Sequence, residues 1–351
     1  MRQVDAALNR HLPKASAKPK TLHESMRYSV FAGGKRLRPI LCKAAAEACG
    51  GDPKNSFILG SAVECIHTYS LIHDDLPALD NDDYRRGNKT NHIVYGEGIA
   101  VLAGDALLTL AFELANEANP TKRYKQNDFV GELAKTAGHA QLIAGQVADL
   151  EGEGKPVSRA QLRYIHERKT SALLTCSVKL GGMSANCTPR QLEALTDFGY
   201  HVGLAFQVID DILDVTQSSE QLGKTAGKDE AVQKATYPSI VGLEKSRKIA
   251  AELTSKAYQA LKPFRGKAVA LEALERRLAL LVVVAVTLAH GARLGVGAAT
   301  PALVDEVVVL HAHVVARGGI VAEVEAIGLL VVAEVAEWIS SFFLSFVLPK
   351  S

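Results

Sequence analysis

No sign of charge dominates this chain: 40 Lys and Arg face 38 Asp and Glu, a formal net charge of +2. A protein that coats nucleic acid needs a basic surplus to neutralise phosphates, so that partner is not expected. Cysteine is scarce and odd in number. The five residues, Cys42, Cys49, Cys65, Cys176 and Cys187, form no C-x-x-C pair. That pattern argues against a disulfide scaffold or a zinc ribbon and for a reducing compartment. The first ten residues have no long apolar core, so no secretory signal is expected and a cytoplasmic location fits. The apolar run from Leu278 to Ala289 has 12 residues, too few for a spanning helix, which takes ~20. Membrane association is not expected. No stretch alternates apolar and polar residues long enough to make a strand.

What is present is helical. Hydrophobic residues make up 48% and charged residues 22%, the balance of a globular chain. Apolar residues recur at three- and four-residue intervals, as in Ala62, Val63, Ile66, Tyr69 and Ile72. Breaks fall at Gly33-Gly34, Gly50 to Pro53, Asn119-Pro120, Gly152 to Pro156, Gly181-Gly182 and Thr188-Pro189. Ser158 before Gln161 and Thr188 before Gln191 have capping-box spacing. The fold class is all-α. Residues 1–277 read as one domain. After Arg276-Arg277 the composition turns Ala/Val-rich, with no lysine between Lys267 and Lys350. Residues 278–351 therefore form an atypical extension, either an accessory helical pair or a tail read out of its original frame.

Two carboxylate clusters carry the chemistry. Asp74, Asp75, Asp80, Asp82 and Asp83 place five carboxylates within ten residues, and these repel one another unless a cation compensates them. Asp210, Asp211 and Asp214 sit in the apolar run Phe206 to Val215. Asp210 and Asp214 are four residues apart, on one helix face. Carboxylates in so apolar a segment line a cavity or hold a metal, because burying them unpaired is costly. All-oxygen donors suit a hard cation such as Mg²⁺, which takes one or two carboxylates and completes its shell with water and phosphate. A solvated acidic loop would account for the first cluster alone, but two such clusters point to metal. Basic residues stand near both: Lys35, Arg36 and Arg38 beside Gly33-Gly34, then Arg85-Arg86, Lys169-Thr170, Lys224 and Lys234. Arginine grips phosphate oxygens in pairs and lysine supplies a mobile point charge, so the chain reads as built to hold diphosphates through Mg²⁺.

The order and wording of these stretches resemble the trans-isoprenyl diphosphate synthases, most closely the short-chain bacterial farnesyl diphosphate synthases. The stretches are G-G-K-R-L-R-P at 33–39, V-E-C-I-H-T-Y-S-L-I-H-D-D-L-P-A-L-D at 63–80 and R-R-G at 85–87. Then come L-A-G-D-A-L at 102–107, H-E-R-K-T at 166–170, G-L-A-F-Q-V-I-D-D-I-L-D at 203–214, L-G-K-T at 222–225 and K-A-T-Y-P at 234–238. The resemblance implies a helical bundle of the isoprenoid synthase type around a central cavity, usually as a homodimer. It implies Mg²⁺, with Mn²⁺ as a substitute, held by Asp74, Asp80 and Asp210, with Asp75, Asp211 and Asp214 as second candidates. Arg85, Lys169, Thr170, Gln207, Lys224 and Lys234 match positions that hold the allylic diphosphate. Lys35, Arg38, His67 and Arg86 match those that hold isopentenyl diphosphate. Tyr84 and Asn81 depart from the frequent leucine and aspartate, and the C-terminal extension departs from the family's last helix.

The activity so implied is condensation of isopentenyl diphosphate with dimethylallyl or geranyl diphosphate to give farnesyl diphosphate; geranylgeranyl diphosphate is the alternative. The length argument rests on Tyr69, five residues before Asp74, hence about 7–8 Å deeper along the helix axis. Its ring would floor the cavity, whereas Ser70 beside it is too small to block anything. Three other readings compete. His67 and His73-Asp74 could belong to an HD-type phosphohydrolase, but that fold has no use for the second aspartate cluster. An inactive regulatory subunit would lack one cluster, and this chain keeps both. Terpene cyclases of related fold lack the G-G-K-R-L-R-P element.

Overall fold

The computed structural model describes residues 1–216 and 235–276. Among them the chain runs α1 (Arg2–His11), α2 (Lys20–Phe31), α3 (Leu37–Ala48), α4 (Pro53–Asp74), α5 (Asn91–Tyr95), α6 (Glu97–Glu117), α7 (Gln126–Ala137), α8 (Leu142–Gly152) and α9 (Arg159–His166). A π turn over Glu167–Ser171 leads into α10 (Ala172–Ser184), followed by α11 (Pro189–Thr216), α12 (Tyr237–Val241) and α13 (Leu243–Ala260). Residues 269–276 are again helical. The all-α expectation holds, with one correction and one small addition. Gly181-Gly182 is no break but lies inside α10, where a Cβ at Gly181 would meet the Cys42 carbonyl of α3 at 2.1 Å. Tyr84–Arg85 and Asn88–Lys89 pair as a two-residue antiparallel hairpin just after the first acidic cluster.

The long helices form where apolar spacing and caps agree. Asp52 caps α4 by accepting from the Lys54 amide at 2.9 Å, and Pro53 fills the first helical position, where its missing N–H costs nothing. Leu59, Ala62, Val63, Ile66, Tyr69 and Ile72 are all buried, so α4 is apolar nearly all round and becomes the central rod. It packs against α3, α6 and α10. The two expected capping boxes are present: the Ser158 amide donates to Gln161 Oε1, and the Thr188 amide to Gln191 Oε1, each at 2.9 Å. They start α9 and α11 where the sequence says they should.

The core has two lobes. One gathers around α4, α6 and α7, with Phe129, Leu107 and Ile66 wholly buried. The other gathers around α11 and α13, with Phe198, Leu195 and Val208. α10 lies between α3 and α11 and joins the lobes. All five cysteines are free thiols. Lys224, Lys234 and the whole extension 278–351 lie outside the described residues.

Candidate active site

The first aspartate cluster begins where α4 ends. Asp74 is the last helical residue, and the chain folds back so that the Asp80 amide donates to the Asp74 carbonyl at 2.8 Å. The Asp82 amide likewise reaches the Asp75 carbonyl at 3.2 Å. Asn81 makes the turn with φ of +49°, a left-handed conformation that asparagine tolerates better than most residues. The turn thus brings Asp80 back beside Asp74.

Neighbouring aspartates face different partners. Arg85 grips Asp75 by Nε at 2.8 and 3.0 Å and by Nη2 at 2.6 Å. Asp75 is buried, and burial pushes its carboxyl above the usual range against the pull of Arg85. Asp74 is half-buried and turns the other way: Gln146 Nε2 donates to its Oδ1, and Lys169 Nζ lies 3.7 Å from its Oδ2.

Lys169 and Thr170 link the two clusters. Both sit in the π turn, where the wider coil shows consecutive side chains to different neighbours. Thr170 Oγ1 donates to Gln207 Oε1 at 3.0 Å, and Gln207 Nε2 donates to Asp211 Oδ1 at 3.1 Å. Asp211 also accepts the Tyr237 amide at 2.9 Å, with His166 Nε2 3.9 Å away. This approach depends on glycine: a Cβ at Gly203 would lie 2.5 Å from Ser171 Cα. Asp210 is half-buried, whereas Asp214, which shares its helix face by spacing, is buried with Asp211. Asp210 is therefore the more solvent-accessible of the three aspartates of the second cluster. Among the described residues, no three His, Cys, Asp or Glu side chains converge as a ready metal cage.

On the other flank of α4 lies a group of cations. Lys35 is exposed, while Arg38 and His67 are half-buried. Arg38 Nε is sealed from solvent without a hydrogen-bond partner. Burial, aided by Arg86 and resisted by Glu64, pushes the Arg38 guanidinium down to about 10. Burial and then the charges of Arg38, Arg86, Arg85 and Arg36 hold His67 well below its usual value, so it is neutral at pH 7. Arg86 donates to the Gly33 carbonyl at 2.7 Å, and a Cβ at Gly34 would meet its Nη1 at 2.4 Å. Gly34 has φ of +124°, a backbone conformation that favours glycine. Arg36 belongs elsewhere. It is buried, paired with Glu64 at 3.2 Å and Asp5 at 2.9 Å, and holds α3 to α4 and α1.

Tyr69 is buried beneath this region, edge-on to His73 with ring centroids 5.7 Å apart. Ser70 is half-buried and donates to the His67 carbonyl. His73 itself turns towards α6, with Nε2 3.1 Å from the Val101 carbonyl, away from the acidic cluster that an HD-type site would need it to join. The sequence missed Gln146, Asp149 and His166, which lie against Asp74, Lys169 and Asp211, and Glu64, whose charge acts on Arg38 and Arg86. Only Glu64, a carboxylate in an otherwise apolar helix, carried a visible signal.

Residues 19–274 match the Polyprenyl synthetase family. The chain is 54% identical over 250 residues to a chloroplastic geranylgeranyl pyrophosphate synthase of Capsicum annuum, covering 70% of this chain and 67% of that protein. It is 50% identical over 273 residues to a dimethylallyltranstransferase of Fischerella ambigua, covering 77% and 78%. Among solved structures it resembles a geranyltransferase of Helicobacter pylori complexed with magnesium and isoprenyl diphosphate, with 33% identity and a TM-score of 0.70 over 79% of this chain and 93% of that one. It also resembles an FPP/GFPP synthase of Zymomonas mobilis, with 32% identity and a TM-score of 0.68, covering 79% and 95%. Two aspartate clusters joined through one π turn, a cation group on the opposite flank, and a family match across most of the described residues lead to one conclusion: the chain belongs to the polyprenyl synthetases, the trans-isoprenyl diphosphate synthase family of prenyltransferases.

Proposed function

We propose that this chain is a Mg²⁺-dependent prenyltransferase that joins isopentenyl diphosphate to an allylic diphosphate, with geranylgeranyl diphosphate as its end product. The observation that carries the chemistry is the division of charge at the end of α4: Asp74 faces Lys169, and Asp75 faces Arg85 and the cations beyond it. One diphosphate fits on each flank. The product is supported by the geranylgeranyl synthases among the relatives, which reach 54% identity.

The donor set fits the metal. Asp74, Asp80 and Asp210 offer only hard oxygens, and Mg²⁺ commonly arrives with phosphate and water completing its shell, so a preformed cage is not required. Mn²⁺ would substitute. When bound, the metal would neutralise the leaving diphosphate so that the allylic C–O bond can ionise. Lys169 adds its ammonium to that diphosphate, and the Thr170–Gln207–Asp211 chain fixes the groups around it. Arg38, His67, Arg86 and Lys35 hold isopentenyl diphosphate, with the neutral His67 acting as a hydrogen-bonding group rather than a charge. Setting two substrates side by side turns an encounter into a positioned reaction. The apolar residues Ile209 and Ile212 of α11 and Ile72 of α4 exclude water that would quench a carbocation. The departing diphosphate takes the final proton.

Farnesyl diphosphate is the second reading, favoured by Tyr69. Its ring is buried on the helix that ends at Asp74, and burial first, then the Asp74 charge, raises its phenol. Incubation with isopentenyl diphosphate and dimethylallyl, geranyl or farnesyl diphosphate decides between them. Twenty-carbon product and consumption of added farnesyl diphosphate support the first reading. Fifteen-carbon product that is never extended supports the second. No condensation with any allylic substrate overturns the prenyltransferase reading.

We further propose a homodimer formed on α5 and α6. Ile93, Val94, Val101 and Leu102 are exposed there. α6 is long and apolar enough to cross a membrane, yet it packs on α4, α2 and α7. A second copy would cover its open face, and light scattering reads the mass. Several relatives are chloroplastic, which supports an organelle as the alternative to the cytoplasm; imaging of a tagged chain separates the two.

A further inference from the structure

Two side chains that the proposed chemistry leaves without a task lie against its centre. α8 carries Gln146 and Asp149, three residues apart and so on one face. Gln146 Nε2 donates to Asp74 Oδ1. Asp149 Oδ2 accepts from Lys169 Nζ at 2.7 Å, whereas Asp74 Oδ2 lies 3.7 Å from the same ammonium. The nearer partner of Lys169 is therefore the α8 aspartate. Its side chain is 10% exposed, that of Asp74 13% and that of Lys169 22%. α8 is pressed onto the π turn so tightly that a Cβ at Gly145 would lie 2.3 Å from the Lys169 amide nitrogen. The approach sets Gln146 and Asp149 directly against the π turn that carries Lys169.

We propose that Gln146 and Asp149 are positioning residues for the metal–diphosphate site. The assignment rests on the prenyltransferase reading. By holding Oδ1 of Asp74, Gln146 fixes the plane of the carboxylate and keeps Oδ2 on the side of Lys169, where the metal and its diphosphate would arrive. By holding the ammonium of Lys169, Asp149 confines a flexible four-carbon stem to the side of the site where the leaving diphosphate lies. Ordinary core packing accounts poorly for this pair. A buried carboxylate and a half-buried amide are costly unless satisfied, and here each bonds a functional group: Asp149 the Lys169 ammonium and Gln146 the Asp74 carboxylate. The two residues divide the labour: Gln146 serves the metal, and Asp149 serves the allylic diphosphate. Neither serves isopentenyl diphosphate, whose cations lie beyond Asp75.

The test combines calorimetry with steady-state kinetics on the full chain. Mg²⁺ and geranyl S-thiolodiphosphate, an analogue that ionises poorly, are titrated into wild type, Gln146→Leu and Asp149→Asn. Removing an outer partner of a metal ligand commonly weakens binding by ~10–100-fold. Gln146→Leu should weaken Mg²⁺ by about that factor, and Asp149→Asn should raise the allylic Kd and KM similarly. Neither should alter the KM for isopentenyl diphosphate. Unchanged affinities, or equal losses for both substrates, overturn the assignment. In a Lys169→Met background Asp149→Asn should cost nothing further, and an additive loss overturns it. If Asp149→Asn does not fold, Asp149→Glu keeps the charge and should retain the allylic affinity; loss as deep as that of Lys169→Met counts against the proposal. Wild-type protein that condenses no substrate overturns the prenyltransferase reading. Turnover by wild type with variants that bind and react like it overturns only the positioning roles.

Discussion

Glu64→Gln should destabilise the chain while tightening its hold on diphosphate. Glu64 is 3% exposed, in the middle of α4, and accepts from Arg36 Nη1 at 3.2 Å. Its charge also steadies Arg38 and Arg86 against their mutual repulsion. Removing one member of a buried pair strands the other and costs ~3–5 kcal/mol. Arg36 would keep Asp5 at 2.9 Å, although that carboxylate is 42% exposed and therefore screened. Glutamine also still accepts a hydrogen bond, so a loss of about 2–3 kcal/mol is the reasonable figure. For a domain of this size that lowers Tm by roughly 5–10 °C. The same change removes a negative charge from the cation group, and an anion supplied from solution replaces what was lost. Inorganic diphosphate should therefore raise the variant's Tm by more than it raises the wild type's, since binding to the folded state alone stabilises by mass action. Differential scanning fluorimetry with and without diphosphate measures both effects. A variant that melts with the wild type, or gains no more from diphosphate, would refute the placement of Glu64 as the countercharge of this group.

Asp74→Ala and Asp210→Ala should each lower turnover on the order of 10³-fold with little change in Tm; near-normal turnover would remove them from the metal site. His67 binds its proton more weakly folded than unfolded, so the unfolded chain takes up more protons as pH falls from 7 towards 5, and stability drops over that window. His67→Gln should flatten the decline, as read by urea midpoints across pH; an unchanged slope counts against it. Gly203→Ala places a methyl 2.5 Å from Ser171 Cα and should cost about 1–3 kcal/mol while parting Thr170 from Gln207, so kcat should fall further than stability alone explains. Tyr69→Ala should lengthen the product if the ring floors the cavity; an unchanged chain length would leave the limit to other residues.

Much of this was legible in sequence because it is local. Helices over Pro53–Asp74 and Pro189–Thr216 follow from apolar spacing, and their caps sit two to three residues from what they cap. Both aspartate clusters could be read as sites, since acids set in apolar runs demand compensation. What could not be read was direction. Asp74 and Asp75 are adjacent, yet they pair with Lys169 and Arg85, separated from them by 95 and 10 residues. Arg36 looks like a third phosphate cation beside Lys35 and Arg38 until its left-handed backbone, φ of +52°, turns it inward to Glu64. Gln146 is separated from Asp74 by 72 residues, and nothing in A-G-Q-V-A-D advertises the contact. Asp210, Asp211 and Asp214 have identical chemistry on paper; only the packing of α12 and α9 decides that Asp211 is buried against Tyr237 and His166 while Asp210 stays nearer the solvent.

The π turn makes the site a matter of counting as well as of chemistry. Remove any one residue from Glu167–Ser171, and α9 and α10 could run on as one regular helix from Arg159 to Ser184. Every residue upstream of the cut would then swing by ~100° and slide ~1.5 Å relative to those below it. Even where the residue removed is the uncharged Ser171, so that no charge is lost and no helix broken, Lys169 could no longer meet Asp149 while Thr170 meets Gln207. Read in the other direction, a single-codon gain in an ordinary helix is enough to bring a lysine from one face and a threonine from the next into one catalytic neighbourhood. The two aspartate clusters can lie far apart in the chain because this short miscount brings their partners together.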